Sequence, residues 1–270
     1  LWAARPHRHA YHASAINSGI LVTMPVMSNL RFHSPTALIV GQQAPLSENA
    51  MAHAVRVMRL KVGDTLNLFC GDGFDYQCAL TSIEKKSAQV EVLSRSEVNN
   101  ESPLNIRLLQ GISSGDRMDY TIQKAVELGV TEIYPLSTER CVTKLSGDRA
   151  EKRTEHWQGV AIAACEQSGR AIVPLVHAPV TLAQWLSQHA TPDCLNLLLN
   201  PVGAKRLAVL NKPEHAIHLL IGPEGGLSPA EIELATQHHF QSIVLGPRIL
   251  RTETAALTAI ASMQSLWGDF

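Results

Sequence analysis

From Leu104 onward, strand-length apolar runs alternate with stretches whose apolar residues recur at helical spacing. This alternation constrains the fold more than any other feature. Strands joined through helices return to a sheet in parallel, and the helices must cover the faces of that sheet. Predicted strands are Leu104–Gln110, Thr131–Leu136, Cys194–Leu199, Ile217–Ile221 and Ser242–Leu245. Predicted helices are Asp116–Leu128, with Met118, Ile122 and Ala125 on one face, then Asp148–Ser168, a stretch near Ser228–His239, and a last one from about Thr254 to Leu266. Short elements are expected at Ile172–His177 and Leu182–His189. The fold class is α/β, a parallel sheet with helices on both faces.

The residues before this pattern read differently. Residues 27–98 predict a small β-rich domain: Asp64–Cys70 alternates apolar and polar side chains, and the turn Gly71-Asp72-Gly73 leads into Phe74–Ile83. A second turn at Glu84–Ser87 leads into Ala88–Leu93. One helix-like stretch, Ser47–Met58, carries Met51, Val55 and Met58 at helical spacing. The polar segment around Asn99 to Pro103 is the linker (99–103), and 104–270 is the second domain. Residues 1–26, rich in Ala, His and Ser with Arg5 and Arg8 as their only charges, have a transit-peptide composition, or else lie upstream of a start at Met24 or Met27. Either way they are expected to be a non-native or disordered extension.

Composition excludes several classes of protein. With 45% hydrophobic and 17% charged residues the chain can bury a core unaided, and no apolar run is long enough for a membrane helix. The five cysteines form no C-x-x-C pair, and the twelve histidines show no metal spacing. That pattern predicts neither zinc nor disulfides, no metal cofactor, and a reducing, cytoplasmic setting. The net charge of −1 means that any nucleic-acid contact must come from local patches, because no global excess of cations is present.

Ligands of open α/β sheets bind beyond the carboxyl ends of the strands. Three such ends stand out: Leu199-Asn200-Pro201, then Gly222-Pro223-Glu224-Gly225-Gly226, and Leu245-Gly246-Pro247-Arg248-Ile249-Leu250-Arg251-Thr252-Glu253-Thr254. The glycines of the second loop allow a ligand to approach bare main chain, although a tight turn without a ligand also accounts for them. Ser228 with Glu231 forms a capping-box pattern that starts the next helix. Neither a P-loop lysine nor G-x-G-x-x-G is present, so phosphate-binding readings are weak. In the third loop Thr252 or Thr254 can cap the last helix, and Glu253 suits its first turn. That account leaves Arg248 and Arg251 unexplained.

The segments L-I-G-P-E-G-G-L-S (220–228), L-G-P-R-I-L-R-T-E-T-A (245–255), A-A-C-E-Q-S-G-R (163–170) and T-I-Q-K-A-V-E-L-G (121–129) together resemble the RsmE family of 16S rRNA uridine-N3 methyltransferases. The resemblance runs from about Arg31 to the C-terminus. It implies a SPOUT-type domain tied in a trefoil knot, a PUA-like β-barrel before it, and a homodimer whose active site is completed at the subunit interface. The implied cofactor is S-adenosyl-L-methionine. The implied pocket walls are Leu199, Asn200 and Pro201; Ile221, Gly222, Pro223, Glu224, Gly225 and Gly226; and Leu245, Gly246, Pro247, Ile249, Leu250, Thr254 and Ala255. Asn200 departs from the residue usual in relatives.

In this reading Arg251 binds a uracil carbonyl oxygen, and Glu253 or Glu224 accepts the N3 proton. The alternative role of Glu253 is to hold Arg251 by a salt bridge. Glu166, Gln167, Ser168 and Arg170 are expected near the target base at the dimer interface. Arg170, Arg248, Arg56 and Arg59 are the expected RNA contacts, in 16S rRNA of the small ribosomal subunit. Two other readings remain open: a SPOUT methyltransferase acting on another RNA, and a noncatalytic RNA-binding protein of the same fold.

Overall fold

The computed structural model describes residues 30–200, 202 and 204–270. Expectations for residues 1–26 and for Pro201 fall outside the described residues.

Two units follow one another. The first contains β1 (Arg31–His33), β2 (Gln43–Pro45), α1 (Glu48–Met51), β3 (Thr65–Phe69), β4 (Phe74–Ile83) and β5 (Ala88–Glu97). Its five-stranded sheet has the order β1-β3-β4-β5-β2, antiparallel except for the β1/β3 pair. Alternation places Leu66 and Leu68 of β3, Cys78 and Leu80 of β4, and Val90 and Val92 of β5 in one buried cluster. The β4–β5 pairing shifts register between Gln77 and Cys78 and again between Leu80 and Ser82, irregularities of the kind that bend a sheet. The expected helix over Ser47–Met58 is present, but α1 passes at Ala52 into a π-helical turn, Ala52–Val57. Two sequence readings fell short here. The three-residue strands β1 and β2 are too short to show a period, and β5 runs on through exposed positions to Glu97.

The second unit contains β6 (Ile106–Gly111), α2 (Asp116–Glu127), β7 (Glu132–Ser137), α3 (Asp148–Ser168), β8 (Leu175–Val176), β9 (Val180–Thr181), α4 (Leu182–His189) and β10 (Leu195–Leu199). It continues with β11 (Lys205–Arg206), β12 (Ile217–Ile221), α5 (Pro229–Gln237), β13 (Gln241–Val244) and α6 (Thr252–Trp267). All pairings are parallel, in the order β11-β13-β10-β12-β6-β7-β8, with β9 also on β7.

Consecutive leucines show why both faces are covered. Leu108, Leu197 and Leu219 join the cluster under α2, α3 and α6, whereas their neighbours Leu109, Leu198 and Leu220 join the cluster under α4 and α5. Successive strand residues point to opposite faces, so a continuous apolar run requires a layer of helices on each side. All five residues of β12 are buried. The helix α6 begins at Thr252, two residues before the predicted start.

Candidate active site

Because the strands are parallel, their carboxyl ends share one edge of the sheet, and the loops after β6, β10, β12 and β13 converge there. Those after β10, β12 and β13 line a cleft of about 650 Å³, with the loop after β6 behind it. Leu199, Asn200, the run Ile221–Leu227, the run Leu245–Glu253 and Ala255 line it. Three segments far apart in the chain are thus brought together. Of the pocket residues named from sequence, Pro201 lies outside the described residues. Thr254 is exposed and absent from the lining, because the earlier start of α6 turns it to the outer face of the first helical turn.

The loop after β12 requires its glycines. A Cβ on Gly222 would stand 2.9 Å from the amide nitrogen of Leu227 and 3.0 Å from the carbonyl carbon of Gly226, both backbone atoms. A Cβ on Gly111, at the end of β6, would meet Pro223 at 2.5 Å. At Gly246, across the cleft, a Cβ would meet nothing within 4 Å. The loops therefore press tightly on one another behind the cleft and leave open space within it.

Glu224 braces the glycine loop from outside. Its Oε1 accepts from the Ser114 amide at 2.8 Å, the Ser114 hydroxyl at 2.7 Å and Arg117 Nη1 at 2.9 Å. Desolvation alone would raise the Glu224 pKa, but the Ser114 amide and hydroxyl, with the Arg117 guanidinium, hold it down at about 2. A carboxylate so stabilised is a poor proton acceptor near neutral pH. Arg140 Nη1 donates to the carbonyl of Gly225 at 3.1 Å. Ser228 and Glu231 form the expected capping box, and Glu231 also accepts from the amide of Glu139 at 2.8 Å.

The third loop is tied to the second by Thr252, which sequence reasoning offered, as the alternative to Thr254, for the helix cap. Instead its hydroxyl donates to the carbonyl of Gly222 at 2.6 Å and accepts from Gln110 Nε2 at 2.9 Å. Gln110 Nε2 also donates to Gly111 at 3.0 Å. Both side chains are buried. The N-cap position falls to Arg251, whose side chain makes no capping bond. Arg248 and Arg251 are exposed at the mouth of the cleft, beside Ile249, which is 94% exposed. Glu253 Oε2 is buried and has no hydrogen-bond partner among the described residues, and Gln110 Oε1 is in the same condition. Among the described residues no ion pair joins Glu253 to Arg251. The supporting residues Gln110, Ser114, Arg117 and Arg140 were missed from sequence. Gln110 left one trace there, a polar residue ending an apolar strand.

Arg170 requires a correction. Expected to touch RNA, it is 4% exposed, with its guanidinium paired to Glu101 at 2.6 Å and donating to the carbonyls of Val126 and Val130. No face of it is left for a phosphate. Its neighbour Glu166 accepts from the amide of His33, on the first unit, and does not face the cleft. Arg56 and Arg59 are exposed on the first unit, Arg59 with a positive φ of 59°. A second groove, of about 1190 Å³, runs along α6 past Leu207, Leu257, Ala261 and Leu266 and meets the cleft at Leu245–Pro247. Among the described residues there is no metal-binding group, and no helix is long and apolar enough to cross a membrane.

Known proteins share this architecture. An RNA methyltransferase domain family matches residues 100–264, and an RNA methyltransferase PUA domain family matches residues 46–93. The chain is 33% identical to ribosomal RNA small subunit methyltransferase E of Buchnera aphidicola (Acyrthosiphon pisum), over 83% of this chain and 88% of that protein. It is 34% identical to the protein of the same name from Bacillus subtilis, over 85% and 90%. A crystal structure of a ribosomal RNA small subunit methyltransferase E from Neisseria gonorrhoeae, bound to S-adenosyl methionine, superposes with a TM-score of 0.85 at 45% identity, covering 90% of this chain and 99% of that one. With both domains matched and nearly the full length of these relatives covered, the chain belongs to the ribosomal RNA small subunit methyltransferase E family.

Proposed function

We propose that this protein methylates N3 of a uridine in 16S rRNA of the small ribosomal subunit, using S-adenosylmethionine bound in the cleft. The observation that carries the proposal is the convergence of the three loops on one slot with Arg251 at its mouth and a buried, unpartnered oxygen of Glu253 beside it. The slot fits the cofactor. Ile221, Leu245, Leu250 and Ala255 offer apolar walls for an adenine, and Gly222, Gly225 and Gly246 bring bare main chain within reach of polar groups.

When bound, S-adenosylmethionine supplies an electrophilic methyl carbon on a sulfonium, with a neutral thioether as the leaving group. The protein's part is to prepare the nucleophile. Neutral uracil has a proton on N3 and no lone pair free for attack. Glu253, whose side chain makes no hydrogen bond among the described residues, turns its carboxylate toward the base and accepts that proton, and Arg251 donates to a uracil carbonyl oxygen, where the negative charge of the deprotonated ring accumulates. Glu224, held at a low pKa by Ser114 and Arg117, anchors the glycine loop and does not act as the base.

The first unit holds the RNA, with Arg56 and Arg59 on its exposed face. The family resemblance further supports a trefoil knot in the second unit, a cytoplasmic setting and a homodimer. In this dimer the groove along α6 takes a second copy, and the exposed Ile249 meets it.

The test uses small subunits from cells lacking the modification. Incubation with the protein and S-adenosylmethionine should yield 3-methyluridine, detected by nuclease digestion and mass spectrometry. Arg251→Ala should bind the cofactor as the parent does and turn over about 100- to 1000-fold more slowly. A methyl group found on another atom, or parallel loss of cofactor affinity in the variant, contradicts the proposal.

A further inference from the structure

The end of α3 gathers an unusual number of polar contacts from the other unit. Arg31 of β1 has a side chain only 8% exposed; its Nε lies 2.9 Å from Asp75 Oδ1, Nη1 donates to the carbonyl of Cys165 at 2.7 Å, and Nη2 donates to that of Arg170 at 2.9 Å. The same guanidinium lies 3.8 Å from the ring centre of Phe69. The His33 amide donates to Glu166 at 2.9 Å, and Asn100 of the linker donates to the carbonyl of Gly169 at 3.0 Å. From the opposite side, Arg170 turns back to Glu101 of the linker and to the carbonyls of Val126, in the last turn of α2, and Val130, just after it.

Units joined by a short polar linker are expected to move against one another unless a large apolar interface holds them. Here the buried Phe69 of β3 packs into the core of the second unit, and polar bonds with defined directions set the angle of that contact. The C-terminal end of a long helix carries the negative end of its dipole, so a buried cation from the other unit suits the Cys165 carbonyl electrostatically, although that carbonyl also accepts from the Gly169 amide. Nε faces Asp75, Nη1 the Cys165 carbonyl, and Nη2 both Asp75 and the Arg170 carbonyl, so the planar group fixes an angle as well as a distance. None of these residues lines the cleft, and the methyl-transfer chemistry does not use them.

We propose that Arg31, Asp75, Glu166, Arg170 and Glu101 form an orientation lock, which holds the RNA-binding unit in one pose relative to the cleft and so determines which nucleotide reaches Arg251. These are positioning residues. What the pose serves rests on the reading under Proposed function; the existence of the lock does not.

The test compares the full-length parent with Arg31→Ala and Arg31→Lys. Calorimetric titration measures S-adenosylmethionine affinity, initial rates on unmethylated small subunits give KM and kcat, and X-ray scattering reports the relative placement of the two units. Arg31→Ala should bind the cofactor within about twofold of the parent, because additivity holds for distant sites. Its KM for small subunits should rise about tenfold or more, as misplacement remote from the chemistry is costly, and its scattering profile should broaden. Arg31→Lys keeps the charge but not the fork of donors and should recover only part of the loss. Unchanged KM and scattering in Arg31→Ala overturn the lock. So does a matching loss of cofactor affinity, which would make Arg31 a support of the catalytic unit itself. If Arg31→Ala does not fold, Asp75→Asn takes its place under the same criteria. If the parent leaves small subunits unmethylated, the functional reading fails, and the scattering comparison alone decides the lock.

Discussion

Thr252→Val removes one oxygen and almost no volume, and it cuts the tie between the two loops of the cleft. Valine can neither donate to the Gly222 carbonyl, now at 2.6 Å from the hydroxyl, nor accept from Gln110 Nε2 at 2.9 Å. The Gly222 carbonyl loses a side-chain partner, whereas Gln110 keeps its bond to Gly111. A buried polar group left unpaired costs about 1–3 kcal/mol, and with one of the two only half-deprived the sum is roughly 2–4 kcal/mol. For a chain of this size that corresponds to a fall in melting temperature of about 5–15 °C. Cofactor affinity should fall with it, since the freed carbonyl belongs to the loop that lines the slot. Thr252→Ser, which keeps the hydroxyl, should retain most of both. Differential scanning calorimetry and titration with S-adenosylmethionine provide the measurements. A valine variant melting within about 1 °C of the parent, with unaltered affinity, would show that the tie contributes nothing to stability or to the slot.

Arg170→Ala leaves Glu101 and two buried carbonyls without their partner and should cost about 3–5 kcal/mol in urea unfolding, whereas Arg56→Ala, on an exposed face, should stay within about 0.5 kcal/mol. Similar values for the two would restore Arg170 to the surface. Desolvation, reinforced by Arg107 and His189, lowers the pKa of the buried His218 to about 4. The unfolded chain takes up this proton near its ordinary value of 6.5, so the folded state is disfavoured as pH falls from about 6.5 to about 4 and is undisturbed above that range. One such proton gives a slope of up to about 1.4 kcal/mol per pH unit, which His218→Gln should abolish; an unchanged slope in urea titrations at several pH values assigns it elsewhere.

The parallel sheet was legible because its signal is periodic and local. Paired leucines such as Leu219 and Leu220 announce a strand covered on both sides, and the start of α3 at Asp148 and its end at Ser168 came directly from pattern. The positions of the three loops followed from the rule that ligands bind at carboxyl ends of strands. What lay beyond reach was partnership across distance. Nothing near Thr252 indicates that its hydroxyl answers a carbonyl 30 positions away, so local capping was the natural assignment and the wrong one. Arg170 misled for the same reason: an arginine after a helix looks solvated until its acceptors at Glu101, Val126 and Val130 are known. Glu224 and Glu253 are equivalent as letters. Only their surroundings separate them, one carboxylate held at Oε1 by Ser114 and Arg117 and the other without a hydrogen bond among the described residues.

The bond between Gln110 and Thr252 spans 142 positions. Closing so long a segment carries an entropic cost of about 4 kcal/mol that must be met by the pairing of β6 with β12 beside it, so the back wall of the cleft forms only after most of the second unit has ordered. A ligand of this cleft therefore has nothing to grip on a half-made chain. It binds the finished molecule alone, and by mass action it draws slow folders toward completion, which makes recovery of ligand binding a stricter measure of refolding than recovery of helix content.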